Sequence, residues 1–377
     1  MGNSILIVSG HDFRSPRKAN IHFIASELSK NTPVRFLSIG FSDLSLFKAD
    51  PRTELTKLSN RVGMENGVEC FLWKTLIHPF NMRVRSLRFV ERAHFDFYRS
   101  RLPEIPRRWM REARIIIIES GLGVMFIEMI RRLNRDSKII YNASDDLAAL
   151  DCSAYLRLEL ARVAGCIDWV RVPSRLLAER LSSKAPLFFI PHGIHHELRD
   201  QDDASPFESG IHAVSVGSML FDRNFFELAA DLFPDVHFHV IGAGTRSRAL
   251  SGANIHVYGE MKFRETVKFI KNANFCIAAY SGGEHPAYLA DTSMKLLQYD
   301  FLGLPAVCPS FVAGNHSYRI GYEPGDRASI KRAIEHALAQ RKHTGSDFLS
   351  WEEVTKRLLD PGAYPEARVQ LIDRPGV

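Results

Sequence analysis

No run of about eighteen apolar residues occurs anywhere in the chain, so no segment reads as a membrane-spanning helix. A positively charged start followed by a cleavable apolar stretch is missing too, and the expectation is a chain neither secreted by a signal peptide nor embedded as a spanning protein. Cysteine is scarce: Cys70, Cys152, Cys166, Cys276 and Cys308 are odd in number, far apart and mostly in apolar surroundings. That pattern suits reduced core thiols in a cytosolic protein rather than a disulfide framework or a zinc site. Cys-x-x-Cys, His-Glu-x-x-His and Walker sequences are all missing, as are repeats and low-complexity tracts.

What is present is an ordinary globular composition. The 377 residues are 45% hydrophobic and 24% charged, enough for roughly two to three domains with real cores. The net charge of +6 is concentrated: between Lys74 and Arg114 stand eleven Lys/Arg against four acids, so the rest of the chain is close to neutral. A confined basic excess points to a local docking surface for an anionic partner.

Short apolar runs at residues 4–9, 34–39, 68–73, 114–119 and 138–142 alternate with helical patterns such as residues 18–30, where Ile21, Ile24 and Leu28 share a face. Four consecutive isoleucines in residues 115–118 suit a strand buried on both faces. Such alternation predicts a parallel, doubly wound sheet. After the polar run 199–209 the pattern restarts, with strands at 212–217, 236–241, 255–258, 275–280 and near Val307, and helices at 223–232, 264–272 and 327–340. The expected organisation is therefore α/β, with two Rossmann-like domains facing a central cleft: residues 1–198, a linker at 199–209, residues 210–345, and a C-terminal segment 346–377 that crosses back to the first domain.

One segment carries the most chemistry. Residues 291–307 read as a short polar run, a helix ending at Gly303, then Pro305 and a small apolar strand. Amides at such a helix start, with Lys295 beside them, make a seat for a diphosphate. Gln298, one turn on, faces the same side and is placed for a ribose hydroxyl.

This layout resembles the nucleotide-sugar segment of GT-B glycosyltransferases, in which a Lys precedes by three residues an acid that holds the ribose, and a Gly-Leu-Pro turn closes the helix. Gln298 stands here where those enzymes carry the acid. Residues 190–194 (Ile-Pro-His-Gly-Ile) look like the turn that ends the acceptor domain in that superfamily, residues 216–219 like the first strand and glycine turn of the nucleotide domain, and residues 254–260 like the strand and turn bordering the base. By analogy, Gly217, Met219, Glu260, Tyr280, Ser293, Met294, Lys295 and Gln298 line one UDP-sugar pocket. With Ser144-Asp145-Asp146 and the arginine-rich segment included, the whole pattern resembles the glucuronosyltransferases of bacterial xanthan assembly. That resemblance implies UDP-glucuronate as donor, a terminal mannose on a polyprenyl-diphosphate-linked oligosaccharide as acceptor, and inversion to a β-linked glucuronate. The expected enzyme is metal-independent, without a cofactor and without a nucleic-acid partner, and works at the cytoplasmic face of the bacterial inner membrane.

Inverting transfer needs one carboxylate to take the proton of the attacking hydroxyl. Asp145 and Asp146 lie just beyond the carboxyl end of the 138–142 strand, where α/β folds put reactive groups. The family match favours Asp145 as base; Asp146 then reads as the cap of the following helix.

Competing motifs carry less. Gly242-Ala243-Gly244 lacks the third glycine of a dinucleotide fingerprint. Asp200-Gln201-Asp202 matches a metal-holding Asp-x-Asp but sits in the linker, and His195 and His196 are adjacent and poorly placed to share an ion with His192. His237 and His239 alternate on a strand and share a face. Turned as a helix, Val84, Leu87, Phe95, Tyr98 and Leu102 fall on one side with Arg85, Arg88, Arg92 and Arg99 as an adjoining stripe, and Trp73, Leu76, Ile77, Phe80 and Trp109 lie near the ends. Residues 73–109 thus read as a surface helix for an anionic membrane. A core-packed helix with solvated arginines is the plainer alternative, favoured by Glu91 within the apolar stripe. Two rivals to the transferase remain: a UDP-sugar epimerase of the same fold and a non-catalytic, membrane-docked nucleotide-sugar sensor.

Overall fold

The computed structural model of the chain describes residues 4–46, 50–150, 152–181, 184–200, 204–282 and 287–369. It divides into two units, one running to Pro191 and resuming at Trp351, the other spanning His192–Ser350.

Among the described residues the first unit holds strands β1 (Ile5–Ser9), β2 (Val34–Ser42), β3 (Val62–Glu65), β4 (Val68–Thr75), β5 (Ile115–Glu119), β6 (Lys138–Asn142), β7 (Trp169–Val172) and β8 (Leu187–Phe189). Their order is β3-β4-β2-β1-β5-β6-β7-β8, parallel throughout except for the antiparallel β3–β4 pair. Ile5 to Val8 and Ile116 to Ile118 are buried to the last residue, which is why these strands show no polar alternation. The β3–β4 hairpin turns at Asn66 and Gly67, with φ of 45° and 79°, the Asn-Gly pair that a two-residue turn requires. From β4 to β7 the order is that of a dinucleotide-binding sheet, with the reversal between β1 and β5.

In the second unit the strands are β9 (Ile211–Val216), β10 (Val236–Ile241), β11 (Ile255–Tyr258), β12 (Phe275–Ile277), β13 (Ala306–Pro309) and β14 (Arg319–Tyr322). They form an all-parallel sheet ordered β11-β10-β9-β12-β13-β14, again reversing beside the first strand. Asp222 and Asp326 start the flanking helices Arg223–Leu232 and Arg327–Ala339 by accepting the amides of Asn224 (3.0 Å) and Ala328 (2.9 Å).

The units divide earlier than the polar run 199–209 suggests. The amide of Ile194 donates to Leu349 O at 2.9 Å, and Leu198 packs with Val267, Leu297 and Phe301. Arg199 lies 4.2 Å from the Phe301 ring and donates to its carbonyl at 2.9 Å. Both ends of the run belong to the second unit, since Phe207 stacks on His212 at 4.3 Å; Gln201 and Asp202 lie outside the described residues. The helix Trp351–Leu359 packs on the first unit, where Trp351 stacks on Phe23 at 5.1 Å and Trp169 Nε1 donates to Leu358 O at 3.0 Å. Residues 370–377 of the proposed C-terminal segment lie outside the described residues. Among the described residues no helix is long and apolar enough to cross a membrane.

Candidate functional site

The carboxyl ends of β1, β5 and β6 carry a buried polar network. Glu119, which closes the isoleucine strand β5, accepts hydrogen bonds from Ser9 and, at 3.4 Å, from Ser144. Asn142 donates to Ser144 Oγ at 3.0 Å and accepts from the Arg171 guanidinium at 2.9 Å. Arg171 is fully buried and donates further to the carbonyls of Ile190 and Pro191, each at 2.8 Å. Burial pulls the guanidinium down to about 9, with the charge of Glu119 opposing, so it stays a cation at neutral pH.

Asp145 stands on the loop that leaves β6. Ser120, the residue after β5, donates to Asp145 O at 3.0 Å and accepts its amide at 3.2 Å, so neighbouring strand ends fix this backbone. Asp146 is committed differently. One carboxylate oxygen accepts the amide of Ala148 at 2.9 Å and the other pairs with Arg180 Nε at 2.8 Å. The expectation that Asp146 caps the following helix needs correction. It closes the turn at residues 146–150, and the helix Ala154–Val163 is capped instead by Ser153, whose hydroxyl accepts the Tyr155 amide at 3.0 Å.

In the second unit the expected pocket residues lie on successive strand ends. Gly217 follows β9 at φ +88°, a conformation most side chains avoid, and a Cβ there would meet nothing within 4 Å. Met219 is exposed two residues on. Gly242 follows β10, also at positive φ, and Glu260, just past β11, brings its carboxylate 3.1 Å from where a Gly242 Cβ would sit. Beyond β12, the buried Tyr280 meets Ser293 Oγ with its hydroxyl at 2.6 Å. Ser293 caps the helix Met294–Phe301 by accepting the Leu296 amide, which leaves the amides of Met294 and Lys295 ahead of any intrahelical acceptor.

Lys295 Nζ sits 4.9 Å from the centroid of the Tyr280 ring. No carboxylate pairs with it among the described residues, and burial lowers its ammonium to about 8. Gln298 borders an apolar crevice beside Leu198 and Val267. Asp300, on the same helix, is committed to Arg319 at 3.0 and 2.5 Å.

His195 pairs with Glu197 at 3.1 Å and His196 with Phe348 O at 2.8 Å, and among the described residues no group of three His, Cys, Asp or Glu is placed to hold a metal. His237 and His239 do share a face. The structure adds His212 and His256 from the neighbouring strands, which the single-strand pattern does not reveal.

The basic segment departs from expectation. It forms a short turn Arg85–Leu87 and two helices, Arg88–Ser100 and Glu104–Glu112. Phe95, Tyr98, Leu102, Trp73 and Trp109, taken above for the membrane side, lie in the core, and Phe95 is only 1% exposed. Buried Glu91 accepts the Met82 amide at 3.0 Å, pinning the preceding loop, and Arg99 turns to Asp96 at 2.6 Å. The opposite side of the helix is exposed and apolar as well: Phe89 at 81%, with Val90 and Phe97; Leu76 at 78%, Ile77 and Phe80 are exposed on the loop that follows β4. Arg88, Arg92 and Arg101 are exposed on this segment; the side chain of Arg85 is not among those described.

Residues 7–173 match the family described as glucuronosyltransferase GumK, N-terminal domain. Over 364 residues, 97% of this chain and 91% of the relative, the sequence is 46% identical to the UDP-glucuronate:glycolipid 2-beta-glucuronosyltransferase of Xanthomonas campestris pv. campestris. Among solved structures, Anabaena Alr3699/HepE in complex with UDP and glucose matches with a TM-score of 0.63 at 10% identity, over 97% of this chain and 100% of that one. The α,α-trehalose 6-phosphate synthase of Burkholderia multivorans matches at 0.58 and 12%, over 96% and 92%. At such identities these two establish the fold, GT-B, and nothing more.

Proposed function

The chain belongs to the GumK family of glucuronosyltransferases, a UDP-sugar-dependent glycosyltransferase family, and from that premise we propose that it moves glucuronate from UDP-glucuronate to the terminal mannose of a polyprenyl-diphosphate-linked oligosaccharide, with inversion. The observation that carries the donor side is Lys295, a shielded cation without a carboxylate partner among the described residues, beside a capped helix start on the carboxyl edge of the sheet. A diphosphate supplies the missing negative charge.

In the proposed reaction Asp145 takes the proton of the acceptor hydroxyl as its oxygen forms a bond to the anomeric carbon. The bond from that carbon to UDP breaks on the opposite face, and the electron pair leaves with the diphosphate, where Lys295 and the amides of Met294 and Lys295 meet the developing charge. Gln298 would hold the ribose, and Gly217, Met219, Glu260 and Tyr280 would frame the nucleotide. No metal is included, because Lys295 and the helix start supply the charge that one would bring. The exposed apolar surface around Phe89 and Phe97, with Arg88, Arg92 and Arg101, supports peripheral docking on an anionic membrane, at its cytoplasmic face in our reading.

The test is incubation of the protein with UDP-glucuronate and isolated lipid-linked oligosaccharide, with and without excess chelator. The expected result is a glucuronosylated lipid formed equally under both conditions. Conversion of UDP-glucuronate without acceptor would favour the epimerase, and binding without turnover on any lipid acceptor would favour the sensor.

A further inference from the structure

In the first unit a cavity of about 480 Å³ opens between residues 78–83, Leu122, Leu150, Cys152, Ser153 and Leu156. That volume falls within the roughly 300 to 1,000 Å³ of small-molecule sites. Its lining is mixed, with the polar His78, Asn81 and Arg83 beside the apolar Phe80, Leu122 and Leu150. The polar groups are organised, since His78 Nδ1 lies 2.7 Å from Ser42 Oγ and Asn81 accepts the Arg83 amide at 2.9 Å, holding Arg83 at φ +57°.

Both elements that fix the candidate base run into this cavity. Ser120, which bonds the Asp145 backbone twice, is followed two residues later by Leu122. Asp146 O accepts the amides of Ala149 and Leu150 at 3.0 and 3.1 Å, and Leu150 is cavity wall. Phe80, also in the lining, follows the exposed apolar residues Leu76 and Ile77 along the chain. The cavity therefore joins the segment bearing Asp145 to the apolar surface.

We infer that this cavity seats the anionic junction between glycan and lipid in the acceptor, a prenyl diphosphate, with Arg83, His78 and Asn81 on the phosphates and Phe80, Leu122 and Leu150 on the first isoprene units. The inference rests on the glycolipid reading above and adds to it where the acceptor is held. A lining that combines charged and apolar groups fits a ligand that carries both, such as a prenyl diphosphate, better than a bare sugar or a bare lipid.

The probe is farnesyl diphosphate, titrated with UDP saturating so that the nucleotide pocket is filled, beside inorganic pyrophosphate and farnesol. Farnesyl diphosphate should bind more tightly than either, and Arg83→Gln and Leu150→Gln should each weaken it about tenfold, the scale of one charge-assisted contact or one apolar side chain. In transfer assays the same variants should lower the ratio of kcat/KM for lipid-linked over lipid-free oligosaccharide about tenfold, with the Kd for UDP unchanged. Pyrophosphate binding as tightly as farnesyl diphosphate, or variants that match the wild type on both acceptors, would overturn the cavity assignment alone. A wild type that transfers to neither acceptor would overturn the functional reading and this inference with it.

Discussion

The ammonium of Lys295 lies 4.9 Å from the ring centroid of Tyr280, the residue whose hydroxyl is bonded to the cap of the helix that carries the lysine. The aromatic face thus holds one cation in a shielded place beside the helix start, and burial lowers its ammonium to about 8, below the usual lysine value. Below that pH the charge is available to a diphosphate; above it the charge is lost. UDP affinity of the wild type should therefore decline as pH rises through about 8, and Lys295→Arg should flatten the decline. Lys295→Ala should weaken UDP by about 1.5 to 3 kcal/mol, the range for a hydrogen bond to a charged group. Calorimetric titration across pH 6.5 to 9.5 (about) reads both, and unchanged UDP binding in Lys295→Ala would remove this residue from the pocket.

Adjacent aspartates should separate cleanly. Asp145→Asn removes a proton acceptor while keeping its shape, so transfer should fall by roughly 10² to 10⁴ with the Kd for UDP unchanged. Asp146→Asn weakens the Arg180 pair and should lower stability by about 1 kcal/mol, with transfer largely kept. Kinetics and thermal unfolding on both variants decide the matter: the opposite pattern would exchange their roles.

Much of the fold is legible because strands buried on both faces must be continuous apolar runs, as in residues 115–118. The hairpin β3–β4 escaped that pattern. Its partner strand is exposed and short, although Asn66-Gly67 is itself a turn signal. Polar composition misled at residues 199–209, where Arg199 and Phe207 pack by stacking rather than by apolar periodicity. In the proposed site, the helix start beside Lys295 is legible from the sequence, because Ser293, a favoured cap residue, precedes it; Gly217, Met219, Glu260 and Tyr280 enter only through the family resemblance. Glu119 and Ser120 are not legible there, since their partners Ser9, Ser144 and Asp145 are brought together only by the strand order. A charged residue closing a run of isoleucines was the one visible hint.

Acid should loosen the second unit through its histidines. His212, His237, His239 and His256 share one face of β9, β10 and β11, with His212 Nδ1 3.0 Å from His239 Nε2 and His237 Nδ1 3.2 Å from His256 Nε2. Tyr258 OH meets the other nitrogen of His239 at 3.0 Å, and Phe207 and Phe269 cover the group. Burial, then the neighbouring histidines, hold His239 at about 3, and burial also lowers His212 and His256. An unfolded histidine titrates near 6.5, so between that value and the folded one the unfolded chain binds more protons. Stability present above about pH 6.5 is thus lost as pH falls, by up to about 1.4 kcal/mol per pH unit for His239. Unfolding followed from pH 7 to pH 4 (roughly) should show this slope in the wild type, and a smaller one in His239→Gln. An identical slope in the variant would assign the acid sensitivity elsewhere, with the buried His22 of the first unit next in line.

The helix Arg88–Ser100 is apolar on two sides, and only one of them is free to meet a membrane. Phe95 and Tyr98 face the core, so Phe95→Ala should cost about 3 to 5 kcal/mol of stability. Phe89 and Phe97 face outward, and replacing both by Ser should leave thermal stability nearly unchanged while removing the apolar part of docking, about 1.5 to 3 kcal/mol for each ring that enters the interface. Arg101 lies 4.9 Å from the Phe97 ring centroid, so charge and ring arrive at the surface together. Changing Arg88, Arg92 and Arg101 to Gln should subtract about 1 kcal/mol per charge, and only on anionic vesicles. Arg99 belongs outside that set, because it is paired with Asp96. Co-sedimentation with anionic and neutral vesicles at low and high salt separates the two contributions: loss of the rings should weaken binding at any salt, loss of the charges only where the Debye length is long. Vesicle binding that survives both sets of substitutions would place the docking surface on another part of the molecule.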